Sequence, residues 1–176
     1  ARSLRPLPPS RTPPDSSGAL PQWPAERFAS TGLAVLTFAD RCFGLSDGMP
    51  RNYVDPGRHL QDSQASISHV RSLSRINTKK IGLWGSSFSG GHVIVTASKD
   101  KNISAIVAQV PFVDSISTTR MMGVKYLLQA MPHAIKDMLR MATFQSPHYV
   151  KVIGTPDEFA IMNTPESYLG YSAMIP

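Results

Sequence analysis

From Pro24 onward, apolar residues fall into short continuous runs separated by stretches of helical periodicity, whereas the first 23 positions carry neither pattern. Residues 24–31 read as a short helix closed by Gly32. Leu33-Ala34-Val35-Leu36-Thr37-Phe38 is an unbroken apolar run of strand length, as expected of a strand buried on both faces. Residues 40–51 form a loop. Asp55-Pro56 then supplies an N-cap and a first-turn proline, and Leu60, Ile67, Val70 and Leu73 follow at helical spacings. A helix is predicted over 55–74, with its apolar stripe facing a sheet. Residues 80–84 are the second strand, 88–98 a helix and 103–110 the third strand. Strands joined by helical crossovers make a parallel sheet, because parallel neighbours need a long connection. The fold class is α/β, a mainly parallel sheet flanked by helices.

Beyond Pro111-Phe112-Val113-Asp114 the alternation stops, and residues 117–141 read as helices with five of the eight methionines. The chain divides into a Pro-rich tail (1–23), an α/β core (24–114), a helical Met-rich segment (115–150) and an irregular C-terminal segment (151–176). Residues 1–24 hold seven of the fifteen prolines and are expected to be extended or disordered. Within them Arg5-Pro6-Leu7-Pro8-Pro9 could form a polyproline II turn with a basic end. Composition narrows the function little. Eighteen Lys and Arg against twelve Asp and Glu give a net charge of +6, spread without a basic stripe, so nucleic acid is not an expected partner. One cysteine, Cys42, excludes an internal disulfide framework, and no metal-ligand spacing or cofactor motif occurs. With no membrane-length apolar run and no signal-like start, the chain reads as soluble and cytoplasmic.

The chemistry is concentrated in Gly85-Ser86-Ser87-Phe88-Ser89-Gly90-Gly91, directly after a strand and directly before a helix. A chain that reverses this sharply holds its central residue in a strained conformation with the side chain above the sheet, and the positions two residues away must be small. Centred on Ser87, those positions are Gly85 and Ser89; centred on Ser86 they would be Trp84 and Phe88, too bulky for the turn. Ser87 is therefore the candidate nucleophile, and the Phe88 backbone N–H, at the helix start, is the candidate oxyanion donor. An ordinary βα turn is the plain alternative. The run lacks both the Walker ending and the dinucleotide spacing.

The stretch Ile81 to Val93 resembles the nucleophile elbow of the α/β hydrolases, most closely the fungal polyketide transferase and thiohydrolase group. Three further stretches are similar to segments of that group: Asp40-Arg41-Cys42-Phe43-Gly44-Leu45-Ser46-Asp47-Gly48-Met49-Pro50-Arg51, Val110 to Asp114, and Val152-Ile153-Gly154-Thr155-Pro156 with Met162-Asn163-Thr164-Pro165. The resemblance implies a partial α/β-hydrolase fold with 115–150 as a cap-like segment. It implies a Ser-His-Asp mechanism in which an acyl-enzyme passes its acyl group to water or another acceptor. It also implies a chain truncated at both ends, lacking the first strands with their second oxyanion donor and the later loops with acid and histidine. Cys42 stands where the family loop generally has glycine, which strains that turn.

Partners for Ser87 are sought among the remaining residues. Asp114, just past the third strand, is the candidate acid, against a plain capping role. His92 lies on the helix leading away from the hydroxyl and reads as a packing or surface residue. His133 and His148 reach Ser87 only if the helical region folds back as a lid, and His59 and His69 sit on the preceding helix, where a solvated face suffices. The expected function is hydrolysis or transfer of an acyl ester or thioester, a polyketide chain among them, free or carrier-bound, with no cofactor. The alternatives are a catalytically incomplete fragment, a non-catalytic interaction protein that keeps the hydrolase core, and a homo-oligomer that completes the sheet between chains.

Overall fold

The computed structural model describes residues 22–173; the tail and its Arg5 to Pro9 turn lie outside them. The elements in chain order are α1 (Gln22–Ser30), α2 (Pro56–Ser72), β1 (Ile81–Ser86), α3 (Phe88–Lys99), β2 (Ile103–Gln109), α4 (Ser115–Ala142), β3 (Lys151–Ile153), β4 (Ala160–Met162) and α5 (Pro165–Ser172). α1 ends where the N–H groups of Thr31 and Gly32 donate to the carbonyls of Phe28 and Ala29. α2 starts as its sequence dictates: the Asp55 carboxylate accepts the Arg58 N–H at 3.1 Å, and Pro56, with no N–H to orphan, occupies the first turn.

β1 and β2 pair in parallel, from Gly82 opposite Ala105 to Ser86 opposite Gln109. Their crossover, α3, packs across both strands, and α2 packs chiefly on α3 instead of directly on the sheet. Two ion pairs fasten these layers. Arg71 at the end of α2 grips Asp100 at the end of α3 through both guanidinium nitrogens, at 2.7 and 3.2 Å. Arg41 delivers Nε, Nη2 and its own backbone N–H to Asp62 of α2, at 2.8, 2.5 and 2.9 Å, and so anchors the loop 40–51. Within that loop Arg51 gathers the carbonyls of Gly44 and Ser46, each at 2.5 Å. Cys42 is buried at φ 71, in the left-handed region, which accords with the strain that the family resemblance implies at this turn.

Residues 33–38 do not form the expected strand. Among the described residues they pair with no neighbour, and their apolar side chains are exposed, Leu33 at 59%. The run has strand composition, yet a strand exists only where another backbone completes its ladder. The segment 151–176 departs in the other direction: β3 and β4 form a small parallel pair, Lys151 opposite Ala160 and Ile153 opposite Met162, followed by α5 behind its Thr164 cap. Three-residue strands are too short to show alternation. α4 is bent at Gly123, contains Pro132, and buries no residue. Among the described residues no helix is long and apolar enough to cross a membrane.

Burial alone would raise the Asp62 carboxyl, but the Arg41 contacts outweigh it, so Asp62 titrates below the ordinary aspartate value. A carboxyl depressed by folding contributes stability that is present above its unfolded pKa and lost as pH falls through the folded one. Asp62→Ala is expected to cost about 2 kcal/mol at neutral pH. In urea melts the gap between wild type and variant should narrow towards about pH 3, and a gap of constant size would refute this role for the pair.

Candidate active site

Ser87 is the residue between β1 and α3, and its backbone sits at φ 54, ψ −118, outside the regions a residue with a Cβ adopts freely. Three hydrogen bonds hold it there. Its N–H donates to the Gln109 carbonyl at 2.9 Å, and its own carbonyl accepts the N–H groups of Phe112 at 2.9 Å and Gly91 at 3.3 Å. The elbow is thus stitched to the exit of β2, where Val110, a β-branched residue, is also forced to positive φ (42). The crowding predicted from sequence is present: a Cβ at Gly85 would lie 2.4 Å from the Ser89 carbonyl oxygen, and one at Gly91 2.2 Å from that of Phe112. The Ser89 hydroxyl closes the turn, accepting the Ser86 N–H at 3.0 Å and donating to the Ser86 carbonyl at 2.8 Å.

Ser87 itself is exposed. The Phe88 N–H, in the first turn of α3, has no acceptor among the described residues and is free to meet a developing negative charge. Beneath it the Phe88 ring packs edge-on against His92 (centroids 4.6 Å apart) and His59 (6.2 Å), and tilted against Phe112 (5.9 Å). His59 also meets Phe43 of the loop at 5.6 Å, so α2, α3 and the loop share one aromatic cluster behind the elbow.

His59 is the correction here. Expected on a solvated face, it is 3% exposed, with both ring nitrogens unpartnered and Asp40 3.9 Å from Nδ1. The first turn of α2 abuts α3, which its sequence spacing did not reveal. His92 packs as the first of its two expected roles, at 9% exposure, and burial, with His59 beside it, lowers its pKa. Asp40 moves the other way: burial raises its carboxyl, against the opposing pull of His59. His69 is exposed.

Asp114 lies two residues past Phe112 and caps α4, accepting the N–H of Ile116 at 2.9 Å, that of Ser117 at 3.2 Å and the Ser117 hydroxyl. The Ser117 hydroxyl and then the two N–H groups lower its pKa from the ordinary aspartate value. His133 and His148 hydrogen-bond to each other. Among the described residues no histidine hydrogen-bonds to Ser87, and no cluster of three His, Cys, Asp or Glu residues suits a metal ion. Sequence reading missed the Phe112 tether and the Val110 strain; the Phe88 and His92 pair, four residues apart on one helix face, was the available signal for the cluster.

Gly85→Ala is expected to destabilise the fold by about 3 kcal/mol, since backbone and not a movable side chain fills the space; an unchanged urea midpoint would mean that the turn is not built this way. His92 gives a pH test. Its neutral form is favoured by folding, so the unfolded chain takes up the proton first and stability declines as pH drops below the ordinary histidine value. His92→Phe should flatten the decline in melting temperature between about pH 7 and about pH 5, and an unaltered slope would count against this assignment.

The family model described as X-Pro dipeptidyl-peptidase (S15 family) matches residues 8–151. The quorum-quenching protein AidA of Acinetobacter baumannii is 38% identical over 152 residues, 86% of this chain and 50% of that protein. Thiohydrolase aneE of Aspergillus aculeatus is 38% identical over 93 residues, 53% of this chain and 29% of its own length. Polyketide transferase grgF of a Penicillium species is 32% identical over 91 residues, 52% of this chain and 31% of the relative. The crystal structure of the α/β hydrolase GrgF from Penicillium sp. sh18 superposes with a TM-score of 0.65 at 24% identity, over 92% of this chain and 52% of that one, a likeness of fold. The chain spans half the length, or less, of the curated relatives it matches. The resemblance drawn from the elbow therefore stands: the chain has an α/β-hydrolase fold and belongs to the S15 family, the X-Pro dipeptidyl-peptidase type.

Proposed function

We propose that Ser87 is the nucleophile of an acyl hydrolase or acyl transferase acting on an ester or thioester, with polyketide-type acyl chains, free or carrier-bound, as the substrate class. The observation that carries this reading is the strained, exposed Ser87 backbone between β1 and α3, with the unpaired Phe88 N–H next to it. The kinds of relative, a thiohydrolase and a polyketide transferase, favour acyl chemistry over a bare βα turn. Cytoplasmic placement belongs to the same proposal.

In this mechanism a base removes the Ser87 hydroxyl proton as Oγ attacks the carbonyl carbon. The carbonyl oxygen takes the negative charge and accepts the Phe88 N–H. Collapse expels the alcohol or thiol with the proton, and the acyl-enzyme then passes to water or a second acceptor. The strain at Ser87 helps by fixing the hydroxyl before substrate arrives, so no ordering is needed at the moment of attack. Asp114 enters as the acid behind a histidine, a role that competes with its capping of α4.

A fluorophosphonate probe tests the nucleophile. Labelling should map to Ser87 by mass spectrometry and vanish in Ser87→Ala, and a folded chain that never labels would sink the proposal and favour a non-catalytic interaction protein. Asp114→Asn separates the two roles of that side chain: the amide oxygen still caps α4, so the urea midpoint is expected to stay close to that of wild type, whereas loss of the acid slows labelling. Side-by-side assay of an acyl thioester and an X-Pro anilide distinguishes thioester chemistry from the peptidase activity in the family's description.

A further inference from the structure

The part of α4 beyond its bend at Gly123 is joined to the β3–β4 unit by one group of rings: Tyr126 and His133 of α4, His148 of the connection to β3, and Phe159 just before β4. Phe159 lies flat against His133, with centroids 4.3 Å apart and 12° between planes, and meets Tyr126 at 5.6 Å. His133 Nδ1 and His148 Nε2 are 2.9 Å apart. Their ring planes differ by 10° and their centroids by 5.2 Å. That separation is the N···N distance plus a ring radius at each end, so the imidazoles meet edge to edge, lone pair to N–H, and do not lie one over the other. Two ligands of a single metal ion would instead turn their nitrogens towards a third point.

An in-line imidazole pair has a particular proton dependence. With both rings neutral, one N–H donates to the other nitrogen. One added proton strengthens the bond by making its donor charged. A second leaves both facing nitrogens protonated, with no acceptor and two like charges at contact. We propose that His133 and His148 form a proton-operated latch, closed while the pair holds at most one extra proton and opened by the second, which loosens the C-terminal part of α4 from the connection leading into β3. This goes beyond the proposed chemistry at Ser87 and does not depend on it.

The charged neighbours set where the latch works. α4 presents Lys136 and Arg140, which disfavour a further cation, and Asp137, which favours one and whose carboxylate also accepts the His148 N–H at 2.8 Å. From the β3–β4 side the uncharged Phe159 faces the pair. Burial first, then Lys136, His133 and Arg140, lower the His148 pKa. Release therefore falls on the acid side of the ordinary histidine value. What remains on opening is the Asp137 bond to the His148 N–H, the Arg140 Nε bond to the Ser146 carbonyl at 2.6 Å and the Tyr126 hydroxyl bond to the Ile161 carbonyl at a long 3.4 Å, with no α4 residue buried.

Amide hydrogen exchange of the full chain, corrected for intrinsic rates and referred to α3 in the same molecule, reads the latch. Protection of residues 128–142 relative to α3 is expected to fall about tenfold between about pH 7.5 and about pH 5. His148→Gln, whose amide can still donate to or accept from His133 without taking a proton, should keep that protection at the lower pH. Wild-type protection that is constant across this range, or His148→Gln losing it to the same extent, would overturn the proposal. Should the variant not fold, the ring resonances of the wild type decide: the two imidazoles titrate as a coupled pair in two steps if the latch exists, and each in one independent step if it does not.

Discussion

Everything at the candidate site depends on how closely two backbones approach at the end of the β1–β2 sheet. The Ser87 peptide is bonded on one side to Gln109 and on the other to Phe112, so the turn leaving β1 and the turn leaving β2 are one structure. Gly85 and Gly91 are the residues that allow it, since a methyl group at either would overlap a carbonyl oxygen. The positive φ of Ser87 and of Val110 is the conformational cost of that approach, met by three hydrogen bonds and by the packing of α3 across both strands. Strain held in this way fixes a hydroxyl in space, which a relaxed βα turn would not do.

The parts of this arrangement that local chemistry decides were legible in the sequence. Small residues on both sides of Ser87 state the crowding and Asp55-Pro56 states the start of α2, whereas the strain at Cys42 was expected only from the family resemblance. What distant backbones decide was not legible. Residues 33–38 have the composition of a buried strand but no partner among the described residues, and composition cannot report whether a ladder is completed. His59 looked like a surface residue because its burial is set by α3, 29 to 33 residues further along, through Phe88 and His92. The imidazole pair of His133 and His148 has no periodic signature, being formed between a helix and an irregular connection.

The distribution of apolar surface follows the same division. α3 covers one face of the two-stranded sheet, Ile81 of β1 and Ile67 of α2 are buried, and Cys42 is buried within the loop 40–51. Ile106 and Val107 of β2 remain exposed, as do Leu33, Val35, Leu36 and Phe38. A run that is apolar at successive positions suits a sheet covered on both faces, and two strands with one helical layer cover only one. The elbow does not draw on that second face, because its geometry is set by bonds to β2 and by contacts with α3.

These facts place the two halves of the chain at different levels of local stability. Around Ser87, backbone bonds, ion pairs and an aromatic cluster join the loop, α2, β1, α3 and β2, so none of these can open without breaking several interactions at once. α4 has no buried residue and is bent at Gly123, and it is tied to the β3–β4 unit by side-chain contacts at the rings of Tyr126, His133, His148 and Phe159. Free energies of local opening follow the number of contacts that must be lost together. A helix held by a few contacts can separate while the turn between β1 and α3 stays intact, so α4 can change position without disturbing the backbone that holds Ser87.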